Sequence, residues 1–198
     1  GDCTVSYLAT NSIMAPGGMG SAIQITPGTQ LKGVAGSFYA PGLPLQSVVN
    51  QQHNRSTWSS PQSGNGTTIT DMNLTITPKF ANSLIYLEWR LHFECHHDNV
   101  FLVHKNGSLI GYNTQSGNNM WSGIQSPFYD RDYSSTPQHV HIIWYDYPNS
   151  TATVTYAPAI RCSSNTSYTL SLNRTLSSNG QWAYETGVST GIAIEFAQ

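Results

Sequence analysis

His92, Glu94 and His96 stand two residues apart, and His139 and His141 form an H-x-H pair. On extended strands this spacing brings the side chains to one face. Imidazole nitrogens with a carboxylate are a ligand set for Zn, Ni or Fe, and one H-x-H pair per chain would ring the axis of a three-fold assembly with nitrogen donors. Polar residues alternating along a solvent-facing strand give the same spacing. His92, His96, His139 and His141 are therefore weak metal candidates, set beside the plainer reading of a surface or inter-subunit histidine row.

Two patterns carry the chemistry of hydrolases. Gly187-Val188-Ser189-Thr190-Gly191 matches G-x-S-x-G, but a nucleophile elbow needs a helix behind it and a later acid and His. The residues after Gly191 read as a strand and include no His, so Gly187 and Gly191 are expected to serve a turn and a strand bulge. Asp130, Asp132, Glu88, Glu94 and Glu185 are the carboxylates that could pair for glycoside hydrolysis. Nothing in the sequence places them together, and a loop salt bridge through Arg131 is the simpler reading. The chain is expected to be no enzyme and to need no cofactor.

Aromatic residues make up 11% of the chain. Trp58, Trp121, Phe128, Tyr129, Tyr133 and Trp182 fall in segments read as loops, among them the long Gly/Ser/Asn-rich loops 54–66 and 113–137. Sugar faces stack on Trp and Tyr while amides and hydroxyls meet the sugar oxygens. Trp58, Trp121, Tyr129, Tyr133 and Trp182 are thus candidate glycan contacts, with burial at a subunit interface as the alternative. Seven N-x-[ST] sequons, at Asn54, Asn65, Asn73, Asn106, Asn149, Asn165 and Asn173, leave a glycosylated surface protein as a second reading.

The elements that must hold these residues are strands. Only 9% of residues are charged, while Ser, Thr and Asn supply about 30%, against a typical charged share of about 25%. Such a composition cannot build the exposed faces of amphipathic helices. A net charge of −2, with single, scattered Lys and Arg, gives no footprint for nucleic acid, and no apolar run is long enough for membrane insertion. From Leu43 onward, period-2 runs bounded by Gly, Asn, Ser or Pro predict strands at Pro44–Gln51, Thr67–Thr77, Leu84–Glu94, Asn99–Val103, Leu109–Tyr112, His139–Tyr147, Thr151–Ala159, Ser167–Thr175 and Val188–Phe196. Asn106-Gly107 marks a type I′ hairpin. The fold expected is an all-β antiparallel β-sandwich, jelly-roll-like, at 43–198. Residues 1–42, rich in Gly and Pro yet apolar at Val5, Ile13, Ile25 and Phe38, are expected to form an extended arm that anchors the domain or joins subunits, or else edge strands of its own sheet.

In order along the chain come "TTITDMNLTITP", "ANSLIYLEWRLHF", "FLVHKNGSLIG", "HIIWYDYPNSTATVTYAP", "SYTLSLNRT" and "GVSTGIAIEFAQ". This layout, over residues 43–198, resembles a module of tail-fibre and other virion proteins of bacteriophages, marine ones especially. The resemblance implies a homotrimer on the exterior of a virion, either a fibre or tip domain that recognises the host surface or a structural capsid decoration or head fibre. It also implies contact with other virion proteins through residues 1–42. Cys95 and Cys162 each follow a strand and could meet at one rim. Assembly in a reducing cytoplasm favours two buried free thiols over a bridge, with Cys3 unpaired either way.

Overall fold

Among the described residues eleven strands pair into two antiparallel sheets, some formed by alternating apolar and polar residues and others buried on both faces. In this computed structural model the described residues are 40–198 except 63, 115–121, 132–133, 163–165 and 178–183. The expected arm, with Cys3, therefore lies outside the described residues up to residue 39. Residues 40–43 belong with the sandwich, since Gly42 N–H donates to the Ala197 carbonyl at 2.7 Å and Ala197 N–H to that of Leu43 at 2.9 Å.

The strands are β1 Pro44–Gln52, β2 Ser56–Ser60, β3 Thr67–Thr68, β4 Leu74–Ile76, β5 Leu84–Cys95, β6 Asn99–Lys105, β7 Ser108–Gly111, β8 Gln138–Asp146, β9 Val154–Cys162, β10 Tyr168–Leu172 and β11 Ser189–Phe196. In the first sheet β5 is central. One of its edges takes β11 along Leu84–Arg90 and β10 along Phe93–Cys95, and the other takes β8 along Ile85–Phe93. β1 and β2 lie outside β11 and β10. In the second sheet β9 is flanked by β3 and β4 on one edge and by β6 on the other, and β7 closes the sheet. Counting β1–β2, β3–β4 and β10–β11 as single interrupted strands gives two four-strand sheets. The chain crosses between them in the order of a jelly roll.

Between the sheets lies one core containing Trp89, Phe93, Phe101, Tyr156, Met72 and Leu74, all buried. Along β5 the residues Ile85, Leu87, Trp89, Leu91 and Phe93 face that core, as their alternation requires. The β6–β7 turn has Asn106 at φ 51° and Gly107 at φ 78°, the left-handed pair that type I′ demands. Two expectations need correction. The run Thr67–Thr77 is broken by a 3-10 turn at Thr70–Met72, because its carbonyls are drawn elsewhere: Met72 accepts from Trp89 Nε1–H at 2.9 Å, and Asp71 and Asn73 accept from the Asn50 amide. The segment 56–60, read as loop, is strand β2 paired with β10.

Candidate functional site

Two places gather the residues singled out by sequence: the outer face of the first sheet, and one rim of the sandwich. On the outer face, β5 presents Tyr86, Glu88, Arg90 and His92, and β8 presents His139, His141, Ile143 and Tyr145. The register sets Arg90 opposite His141 and His92 opposite His139. Glu88 is the hub. Its Oε1 accepts from Arg90 Nε–H at 2.9 Å and from His141 Nε2–H at 2.9 Å, and its Oε2 accepts from the Tyr86 hydroxyl at 2.6 Å. The Tyr86 bond, ahead of those from His141 and Arg90, holds the Glu88 carboxyl below its ordinary range, and the same bond pushes Tyr86 up to about 12.

Beside this hub, His92 Nδ1 and His139 Nε2 lie 3.1 Å apart. Burial lowers the His92 pKa, and the neighbouring His139 adds to that. A pocket of about 460 Å³ adjoins the pair, lined by Arg90, Leu91, His92, His139, Val140, His141, Gly187 and Val188. Gly187 has a steric reason, because a Cβ there would come within 2.4 Å of the His92 ring. The four histidine candidates thus divide. His92 and His139 meet, His141 is engaged by Glu88, and His96 lies beyond the end of β5 against Tyr168, ring centroids 5.1 Å apart. Glu94, expected beside the two β5 histidines, is buried under the chain at 176, its Oε2 accepting Leu176 N–H at 2.6 Å.

At the rim, His97 takes a left-handed backbone, φ 70°, a conformation that a non-glycine residue holds only when its surroundings enforce it. Asn99 Nδ2–H donates to the carbonyls of His96 and His97, and His97 N–H donates to the Asp130 carbonyl at 2.9 Å. The His97 ring stacks on Tyr168, centroids 5.2 Å apart and planes 8° apart, and its Nε2 meets the Tyr129 hydroxyl at 3.0 Å. Arg131 lies over the other aromatic partner, its Cζ 5.4 Å from the Tyr129 ring centre. Phe128, Tyr129, Asp130, Arg131 and Thr136 line an open pocket of about 430 Å³, where Phe128 is 72% exposed.

Tyr129 therefore lines an open pocket, with the Arg131 guanidinium over its ring. Trp58 does not: it sits on β2, packed against the core, with its indole N–H donated to Ser56 Oγ at 3.1 Å. Trp121, Tyr133 and Trp182 lie outside the described residues. His97 and Tyr168 join the site with one local signal in the sequence, the His-Asp-Asn turn after β5, and Phe128 lines the same pocket as Tyr129.

The hydrolase patterns resolve into packing. Ser189 is buried at the start of β11, its hydroxyl donating to Asn173 Oδ1 at 2.6 Å and accepting His92 N–H at 3.0 Å. Gly191 keeps regular register in β11, with no bulge; a Cβ there would lie 2.7 Å from Trp89 Cδ1. Glu94 and Asp130 do come together, against expectation. Both are buried, however, and burial first, then the Asp130 carboxylate, raise the Glu94 pKa. A glycosidase pair must instead flank a substrate. Arg131 is engaged by the Tyr129 ring, and Asp132 lies outside the described residues. Among the described residues no three His, Cys, Asp or Glu side chains converge as a metal site. Cys95 and Cys162 are buried free thiols. The sequon at Asn173 is spent on structure, since its buried Nδ2 donates to the carbonyls of Gln52 and Asn54; Asn165 lies outside the described residues.

No protein-family model and no curated protein matches the chain. Among solved structures it is similar to the crystal structure of the infectious bursal disease virus VP2 subviral particle, with a TM-score of 0.33 and 12% identity over 86% of this chain and 42% of that one. The chain thus spans less than half of that protein, and a likeness so slight carries neither fold nor function.

Proposed function

We propose that this chain is a non-enzymatic virion structural protein, a jelly-roll domain displayed on the virion exterior as a homotrimer, where it reads a glycan of the host surface. The observation that carries the reading is the rim shelf. Tyr129 is held by a hydrogen bond to His97, with the Arg131 guanidinium over its ring and exposed Phe128 beside it at the same pocket. An aromatic plane with a few convergent polar groups is the usual composition of a sugar site, and a surface with so little charge suits a neutral glycan. The resemblance of residues 43–198 to phage virion modules supports the same assignment, as does the apolar length of residues 1–42, which would join other virion proteins.

A second reading has its own support. The outer face of the first sheet exposes Val49, Ile143, Tyr145 and Val188 and carries Ile192 and Ile194 half-buried on β11. Such a face suits burial between subunits, as a capsid decoration or head fibre of purely structural role would require. A glycan array probed with the whole chain separates the two. Saturable binding that Tyr129→Ala abolishes, with the fold intact by circular dichroism, supports recognition. Failure to bind any glycan, or binding indifferent to Tyr129→Ala, removes the recognition reading and leaves the structural one.

A further inference from the structure

His92 on β5 and His139 on β8 are direct cross-strand partners, their rings meeting edge to face with centroids 4.9 Å apart. We propose that this pair is a divalent-cation site, taking a borderline ion such as Zn²⁺ or Ni²⁺ between His92 Nδ1 and His139 Nε2. The remaining positions stay open to water or to a small ligand in the adjoining pocket.

The spacing fits. With metal–nitrogen bonds of about 2.0–2.1 Å, octahedral and tetrahedral angles put two donor nitrogens about 2.9–3.4 Å apart, and these two are 3.1 Å apart. An ion can replace the shared hydrogen without moving either strand, and ligands carried on paired strands are held in place before the ion arrives. The proton that now lies between the rings must leave. On the exposed His139 ring it moves to Nδ1 and meets water. Nearby charge does not oppose the ion strongly, because the Arg90 guanidinium is paired with Glu88 at 2.9 Å and Glu185 is near enough to act on His92 as a negative charge. His141 is spent on Glu88, which makes this a cross-strand pair and not an H-x-H pair. With two protein ligands the ion is exchangeable, unlike one in a closed structural zinc site.

The test titrates the full chain, stripped with a chelator, with Zn²⁺ alone by calorimetry, and then with Cu²⁺ by electron paramagnetic resonance. The expected result is saturable binding of one ion per chain with nitrogen hyperfine structure from two imidazoles. His139→Ala, at an exposed position, should keep the melting curve and weaken binding by at least about tenfold, the upper end expected when even a supporting partner is lost being larger still. His141→Ala should bind as the parent does. No saturable binding, binding indifferent to His139→Ala, or binding lost in His141→Ala would each overturn the proposal.

Discussion

Replacing Glu195 by Ala tests whether one buried carboxylate closes the β1–β11 edge of the sandwich. Glu195 is fully buried on the core side of β11. Its Oε1 accepts Lys79 N–H at 2.6 Å, Phe80 N–H at 3.3 Å and the Ser83 hydroxyl at 2.6 Å, and its Oε2 accepts the Gln46 amide. The carboxylate thus ties β1 and the turn at 79–83 to β11. Water can reach the donors of Lys79 and Gln46 once the acceptor is gone, but it cannot easily reach buried Ser83. An unpaired buried donor costs about 1–3 kcal/mol, and a hydrogen bond to a charged group contributes about 1.5–3 kcal/mol. We expect Glu195→Ala to lose about 3 kcal/mol, at the top of that range, or about 9 °C in Tm at roughly 2–4 °C per kcal/mol for a domain of this size. Glu195→Gln keeps one carbonyl acceptor but turns an amide N–H₂ toward the donors, and should lose about half as much. Urea unfolding followed by tryptophan fluorescence measures both. A loss below about 1 kcal/mol for Glu195→Ala would refute the reasoning, since it would mean that the donors do equally well without the carboxylate.

Light scattering of the full chain should give near three times 21.7 kDa, and Tyr145→Glu, on the exposed face, should shift the population toward monomer; a clean monomer of the parent would contradict the trimer. Glu88, held below its ordinary 4.5 chiefly by the Tyr86 hydrogen bond, contributes stability that is fully present above that value and is lost as pH falls through its lower folded-state pKa. Glu88→Gln should therefore flatten the acid limb of the stability curve, and an unchanged limb would count against the network. Burial pushes the Cys95 thiol up, so it should resist thiol reagents in the folded protein, while the denatured, unreduced chain should titrate three free thiols; a count of one would show a bridge.

The strands that were legible in sequence are those whose partners are announced locally. β5 has five core residues in strict alternation, and the β6–β7 hairpin has Asn106-Gly107 to set its turn. β2 was not legible because Trp58 is its one large apolar residue, and its strand character comes from pairing with β10, more than a hundred positions away. The break within 67–77 has a similar origin: Trp89 and Asn50, distant in sequence, claim the carbonyls that a continuous strand would have used. The histidine spacing was visible, but which histidines meet depends on the β5–β8 register, which joins His92 to His139 and leaves His141 to Glu88. At the rim, Tyr129 was found by its type, whereas the stack of His97 on Tyr168 needs β10 beside the end of β5.

The most direct test of the central claim is immunogold labelling of intact virions with antibody against residues 43–198, read by electron microscopy beside virions disrupted with detergent. A virion structural protein displayed outward predicts gold on undisturbed particles, at fibre tips if the domain recognises the host and over the head lattice if it decorates the capsid. Gold that appears only after disruption would contradict the exterior placement. Particles unlabelled in either state would contradict the assignment to the virion.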